Sequence, residues 1–158
     1  MSLTYTSTLY QGRIVDLSLF PTMTSNNTPA PLGLGAYPKA ISGAGKVSQS
    51  FIKILLTQKG SNRAYKGLGS NLLSTIQTGM NFATAATING LFNSSALQVV
   101  NFMRTMWTAS TPADEKISSV NLIDFSVSPG VISFRAQLTS GDGSSFPFLI
   151  PVNWNTGA

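Results

Sequence analysis

The chain has 158 residues, of which 42% are hydrophobic and only 9% are charged, whereas about 25% are charged in a typical soluble domain. It contains no histidine and no cysteine, which excludes Ser-His-Asp and Cys-His catalysis, disulfide bonds and the usual structural zinc sites. Ten basic and five acidic side chains give a net charge of +5 at pH 7. With so few acidic groups we expect neither an enzyme nor a cofactor. A polar surface with little charge tends to associate, so the composition favours a subunit of a larger assembly.

Targeting and membrane signals are weak in this sequence. No stretch reaches the roughly 18 consecutive apolar residues that suggest a membrane span. Residues 1–10 lack the basic segment followed by an apolar run that marks a secretory signal. We therefore expect an intracellular protein with no membrane partner.

The first 45 residues are predicted to form an extended arm. Apolar and polar residues alternate along much of residues 3–20, which favours strand structure. Residues 21–45 contain four prolines and four glycines, a density that interrupts regular structure. We interpret residues 1–45 as an arm or wrapping loop that precedes one domain at residues 46–158.

Several segments in the middle of the chain favour helices. Apolar residues recur at helical spacing over residues 46–58, and Gly60 is predicted to cap this helix in the left-handed conformation. A short helix is predicted at residues 70–76, whereas residues 79–90 are ambiguous. The clearest helix signal lies at residues 94–108, where apolar side chains surround the helix nearly completely. Such a helix is buried on more than one side, either as a central core helix or beneath a partner.

After Pro112 the apolar residues alternate with period two, which favours strands. Gly141-Asp142-Gly143 is a strong hairpin signal. Pro147 and Pro151 lack ladder donors, so the last strand is predicted to lie at a sheet edge or to be bulged. Two predicted strands each carry apolar residues on one face: Ile123, Phe125 and Val127 in the first, and Phe146, Phe148, Ile150 and Val152 in the last. The predicted fold class is α+β, a small single domain with central helices and a C-terminal antiparallel β-meander, plus an extended N-terminal arm.

The basic residues are concentrated in one part of the chain. Six of the ten lie between Lys39 and Lys66, and no acidic residue occurs between Asp16 and Asp114. A basic segment that includes aromatic residues such as Tyr65 is compatible with a nucleic-acid footprint. No recognisable nucleic-acid-binding motif frames these residues, so a solvated or protein-facing basic side is the favoured interpretation.

The acidic residues offer little support for a hydrolase. A glycosidase needs two carboxyl groups roughly 5–9 Å apart. Glu115 is a candidate acid with Asp16 or Asp124 opposite it, but nothing in the sequence brings them together. Asp142 is explained by its Gly-Asp-Gly turn.

The segment from Ile54 to Leu72 reads ILLTQKGSNRAYKGLGSNL. A helix ending in Leu-Leu-Thr, a Lys-Gly turn and the spacing to Gly-Ser-Asn-Leu resemble the phage baseplate wedge family, which includes the sheath initiators of contractile tails and is often labelled lysozyme-like. Downstream, Asp114 stands where the family has Glu, and Lys116 stands where it has Arg. The resemblance covers about residues 46–153. Its motif residues are Thr57, Lys59, Gly60, Gly69, Ser70, Leu72, Asp114 and Lys116.

The resemblance implies a non-enzymatic component of a bacteriophage tail baseplate, without catalytic, cofactor or metal sites. Such a subunit surrounds the tail tube in multiple copies in a ring, and its partners are other wedge proteins, the tail sheath protein and tube or hub proteins. It belongs to the virion after assembly in the host cytoplasm. Asp114 and Lys116 are predicted to contact each other or a wedge partner.

Strand exchange with neighbours is the mechanism that the resemblance implies for sheath or wedge assembly. An edge strand can offer unpaired backbone groups to a partner's sheet, and residues 3–20 and 145–153 are the predicted donors. In the second segment the candidate residues are Phe146, Phe148, Ile150 and Val152. The alternatives are a cell-wall-degrading, lysozyme-like tail enzyme and a basic nucleic-acid-binding module.

Overall fold

The computed structural model describes residues 16–17, 40–78 and 84–153. Within these ranges, helices precede an antiparallel three-stranded sheet, which confirms the α+β class. Most of the predicted arm lies outside the described residues. Where it is described, Asp16–Leu17 (β1) pairs antiparallel with Ala40–Ile41 (β2), directly before the first helix.

The first helix, α1 (Gly43–Leu55), begins and ends three residues earlier than predicted. It stops because Thr57 and Gln58 pair with Ser70 rather than continuing the helix. Gly60 does adopt a left-handed φ of 82°. It does so in a turn beyond the helix, however, so its predicted capping role is wrong.

The long helix α3 (Ala85–Thr105) follows the short helix α2 (Leu72–Gln77). It includes part of the ambiguous segment because the Thr84 hydroxyl caps it, accepting a hydrogen bond from the Thr87 amide at 3.2 Å. One face of α3 is buried and the other is open, with Leu97 58% exposed. Burial of α3 nearly all round is therefore wrong for this chain by itself, and its coverage by a partner stays a prediction. Among the described residues, no helix has the length and apolarity needed to cross a membrane.

The sheet consists of β3 (Ile117–Ser128), β4 (Val131–Ser140) and β5 (Ser145–Asn153), in the order β3-β4-β5. The last strand is an edge strand, as its prolines predict. β3 is the other edge of this described sheet. Its pairing with β4 shifts register twice, which leaves bulges at Ser118 and Ile123.

Helices α1 and α3 pack against one face of the sheet and form the core with it. The ring of Phe92 stacks on Phe134 at a centroid distance of 5.3 Å, and Phe51 meets Phe148 at 5.9 Å. Alternate side chains of β4 and β5 are buried here: Ile132, Phe134, Ala136, Leu138, Phe148, Ile150 and Val152. Three of the four candidate donor residues on β5 thus fill the protein's own core, while Phe146 is 39% exposed.

A 3-10 helix at Ala113–Glu115 joins the helical layer to the sheet. The Lys46 ammonium, at the start of α1, lies 2.9 Å from a carboxylate oxygen of Glu115, and the two side chains are only 18% and 11% exposed. On the other side, the Gly141 amide donates to the carbonyl oxygen of Ala113 at 3.0 Å. One short segment, which we call the joint, therefore ties α1 to the β4–β5 turn.

The β4–β5 turn is held by the carboxylate of Asp142. This carboxylate accepts hydrogen bonds from the Ser140 hydroxyl at 2.6 Å, from the Ser144 amide at 3.0 Å and from the Ser144 hydroxyl at 2.9 Å. These bonds, the Ser140 bond foremost, lower the pKa of Asp142 below its ordinary value because they stabilise the charged form. The structural explanation of Asp142 is confirmed.

We predict that Gly141→Ala destabilises the protein by about 1–3 kcal/mol, because an added Cβ would lie 2.9 Å from the Ala113 carbonyl oxygen and force the joint apart. Gly90→Ala is the matched control. Gly90 lies inside α3 with nothing within 4 Å of an added Cβ, and alanine stabilises a helix interior by roughly 0.5–1 kcal/mol relative to glycine. Urea unfolding measures both changes. Equal stability of Gly141→Ala and the wild type would contradict the role of the joint.

Candidate assembly surfaces

The motif residues between 57 and 72 meet at the base of one loop. The Ser70 amide donates to the Thr57 carbonyl at 2.9 Å, and the Lys59 amide donates to the Ser70 carbonyl at 3.0 Å. The buried Ser70 hydroxyl donates to the Leu55 carbonyl at 2.6 Å and accepts from the Leu72 amide at 3.1 Å. These bonds form a unit that we call the clasp, which closes the loop onto the end of α1.

Gly69 is required by the same clasp. Its φ of 107° lies in the left-handed region, which side chains other than glycine rarely adopt. An added Cβ would lie 2.5 Å from the Thr57 carbonyl oxygen. The Thr57 hydroxyl is itself fixed, since it donates to the Lys53 carbonyl at 2.7 Å. Gly69 therefore allows the two segments of the clasp to touch.

An exposed segment at residues 59–66, which we call the basic loop, extends from the clasp. The segment contains no acidic residue, whereas the rest of the predicted basic face is dispersed. Lys46 is paired with Glu115, Lys53 lies on α1, and Lys39 lies outside the described residues. The clustered part of the predicted basic face is therefore the loop. Its exposed cationic residues are Lys59, Arg63 and Lys66.

Tyr65 is 65% exposed, yet its backbone position is fixed. The Asn62 side-chain oxygen accepts hydrogen bonds from the Ala64 amide at 2.9 Å and from the Tyr65 amide at 3.1 Å, which is an Asx-type turn. Just after the loop, a Cβ on Gly67 would lie 3.7 Å from the Phe102 ring of α3. The basic loop thus presents its aromatic ring from an ordered turn close to α3.

The downstream acidic-basic motif contains an ion pair that the sequence prediction missed. Glu115 lies between the two motif positions and pairs with Lys46, which is 69 residues away, and no local pattern signals a partner at that separation. Asp114 and Lys116 are both half-buried. Their contact with each other or with a wedge partner stays a prediction. Ile117, the residue directly after Lys116, is 3% exposed and belongs to the core.

Two of the described carboxylates make separate structural contacts. Glu115 pairs with Lys46, and Asp142 accepts the hydrogen bonds of its turn. Asp124 lies on β3, about 20 Å along the chain direction from Glu115 at the usual rise of a strand. The structure therefore does not form the Glu115–Asp124 pair at the spacing of roughly 5–9 Å that a glycosidase requires. The side chain of Asp16 lies outside the described residues.

The free edge of β5 is poor in hydrogen-bond donors. Pro147 and Pro151 pair with Gln137 and Ser133 of β4 without a register shift. Proline has no amide hydrogen. The hydrogen bonds between β4 and β5 therefore stay intact only if the backbone nitrogens of these two prolines point away from β4, toward the outer edge of the sheet. Leu149 lies between them, and its backbone nitrogen has the same orientation. Of these three positions, Leu149 alone therefore offers an amide hydrogen at the outer edge. The prolines of β5 therefore protect the edge that was predicted from the sequence to take part in strand exchange.

The edge of β3 that faces away from β4 is not paired with any other described strand, and it is richer in backbone donors than the β5 edge. This strand contains no proline and a single charged residue, Asp124. Beyond the bulge at Ile123, residues 124–128 pair regularly with β4. Ile123 and Val127 are 53% and 46% exposed, so the apolar face predicted for this strand is open to solvent at both positions. The bulge breaks the alternation at Ile123, and Val127 lies beside the β3–β4 hairpin turn.

We predict that Ser70→Ala destabilises the protein by about 1–3 kcal/mol, because it leaves the buried Leu55 carbonyl and the Leu72 amide without their partner. Ser74→Ala is the matched control, since the Ser74 hydroxyl makes an exposed bond to a nearby carbonyl within its own helical turn; its change should stay within about 0.5 kcal/mol. Urea unfolding reports the stability, and trypsin cleavage at the basic loop reports its opening. Equal effects of the two substitutions would argue against the clasp.

No family model matches this chain, and no curated protein matches it. A similar solved structure is the crystal structure of a Geobacter sulfurreducens protein provisionally named a tail lysozyme. The TM-score is 0.48 and the identity is 13%, over 72% of this chain and 92% of that one. This likeness does not place the chain in a family.

Proposed function

We propose that this chain is a structural, non-enzymatic subunit of a bacteriophage tail baseplate, of the wedge or sheath-initiator kind. In this role the β3 edge receives an extended strand from a neighbouring subunit. The observation that carries the proposal is the proline-free edge at residues 124–128, on which no other described strand pairs. The partners would be other wedge proteins, the tail sheath protein and tube or hub proteins. The copies would form a ring around the tail tube of the virion, after assembly in the host cytoplasm.

The chemistry of the β3 edge supports strand addition. An added strand would bond to the amide and carbonyl groups that β3 directs away from β4. It would also cover Ile123 and Val127, each about half exposed, and the burial would contribute about 1 kcal/mol per side chain. Natural edges are commonly guarded by lysine, proline or β-bulges. β3 has neither lysine nor proline, and residues 124–128 lie beyond its second bulge, where the pairing with β4 is regular. Such an edge is typical of a strand that is paired in its working state.

Donation of β5 to a neighbour is disfavoured. Phe148, Ile150 and Val152 are no more than 6% exposed, and withdrawing the strand would expose them all. The proposed exchange therefore revises the prediction from sequence, because the sheet receives a strand at β3 and keeps its own β5. The other predicted donor segment, residues 3–20, lies mostly outside the described residues and stays a prediction.

The clasp gives most of the motif residues between 57 and 72 a structural role, which is compatible with a non-enzymatic subunit. Four motif residues take part in the hydrogen bonds of the clasp: Thr57, Lys59, Ser70 and Leu72. A fifth, Gly69, lies against the Thr57 carbonyl. The clasp needs a small hydroxyl residue at position 70 because that side chain makes buried hydrogen bonds. It needs glycine at position 69 because the backbone there is left-handed. Its role is to shape a loop, and such a motif requires no catalytic chemistry.

The state of the carboxylates supports a non-enzymatic role over the lysozyme-like alternative. A glycosidase acid needs a raised pKa, so that it still carries its proton near neutral pH. Hydrogen bonds lower the pKa of Asp142 instead, and the Glu115 carboxylate pairs with Lys46.

We expect the double substitution Ile123→Lys and Val127→Lys to prevent incorporation of the chain into tail particles, because edge lysines oppose strand addition. Both positions are exposed, so the free energy of unfolding should change by less than about 1 kcal/mol in total. Leu149→Lys is the matched control. Leu149 is 44% exposed on the β5 edge, and this variant should be incorporated normally. The measurement is the amount of the chain per purified particle.

Normal incorporation of the β3 double variant would refute strand addition at that edge. Loss of incorporation confined to Leu149→Lys would assign the exchange to β5 instead.

A further inference from the structure

The basic loop is a second surface, built from different elements than the β3 edge. Its three cations lie within eight residues with no acidic residue among them, while the entire chain has only five acidic residues. Cations clustered in this way repel one another and create a positive local field that favours an anionic partner. We propose that the basic loop is a docking site for an acidic segment of a partner protein.

Two side chains of the loop are suited to such a contact. The planar guanidinium of Arg63 can bind a carboxylate through two parallel hydrogen bonds. The ring of Tyr65, exposed and two residues further on, can pack against apolar parts of the same segment. Arginine and tyrosine are enriched among the residues that dominate the binding energy of protein interfaces.

The loop is also ordered before binding. The clasp fixes its base through Ser70, and the Asn62 side chain fixes the turn that carries Tyr65. A surface that is already in its bound conformation loses less conformational entropy on association. The basic loop therefore resembles a preformed docking element.

The number of contacts favours a protein over a nucleic acid. Proteins that bind single strands commonly stack successive bases on aromatic side chains along a basic groove, and tight duplex binding commonly neutralises about six to ten phosphates. The basic loop offers Tyr65 as its aromatic ring and three cations. This is enough for an acidic peptide segment and too little for a track along nucleic acid.

The test uses the purified full chain and does not depend on the baseplate role. The probe is a fluorescein-labelled peptide of twelve residues that alternates glutamate and glycine, and its binding is followed by fluorescence anisotropy at low salt. A serine-glycine peptide of the same length and a single-stranded oligothymidine are the comparison probes. We expect the acidic peptide to bind best, with affinity that falls as salt is added.

Substitutions locate the binding surface. Arg63→Ala and Tyr65→Ala should each weaken acidic-peptide binding by about fivefold or more. Arg135→Ala is the matched control, because Arg135 is an exposed cation on β4 between the buried Phe134 and Ala136 and so points away from the helices; its effect should stay within about twofold. The proposal is overturned if Arg135→Ala weakens binding as much as Arg63→Ala, if Tyr65→Ala has no effect, if oligothymidine binds more tightly than the peptide, or if no probe binds.

Discussion

The ion pair between Lys46 and Glu115 joins α1 to the 3-10 helix that leads into the sheet. The chain has few charges, yet this pair is mostly buried at the junction of α1 and the 3-10 helix. Breaking a buried pair by removing one partner costs about 3–5 kcal/mol, because the other charge is left uncompensated. The second carboxylate oxygen of Glu115 is buried without a hydrogen-bond partner among the described residues, so Lys46 is the main partner of this carboxylate in the part of the chain that the structure describes. The neighbouring bond from Gly141 to Ala113 fixes the sheet to the same point.

The two described edges of the sheet differ in how much of each strand is buried and in how many backbone donors each offers. β5 lies over α1 with its inward side chains in the core, and its outer edge is depleted of donors by Pro147 and Pro151. β3 runs beyond its bulge into residues 124–128, where much of the strand is exposed. Because prolines protect the β5 edge and residues 124–128 of β3 contain none, the strand addition that we propose would take place at one edge of the sheet. The basic loop is a positively charged surface built from other elements than the β3 edge. The two proposed surfaces could therefore bind different partners.

Local chemistry explains which features were predictable from the sequence. Pro147 and Pro151 predicted an edge strand because proline removes a donor wherever it lies, and Asp142 predicted its turn through its glycine neighbours. The features that were missed depend on distant contacts. Lys46 meets Glu115 across 69 residues, and no periodicity carries that information. The bulge at Ile123 was missed for a related reason, since one additional residue on β3 is defined only by its pairing with β4.

Cryo-electron microscopy of the tail particle that contains this chain is the most direct test of the central claim, that the β3 edge receives a neighbour's strand. The proposed role predicts copies of the domain around the tail tube, each with a fourth strand from an adjacent subunit hydrogen-bonded along residues 124–128, and with β5 retained in its own sheet. Particles that lack the chain, or that contain it with the β3 edge facing solvent, would contradict the proposed role.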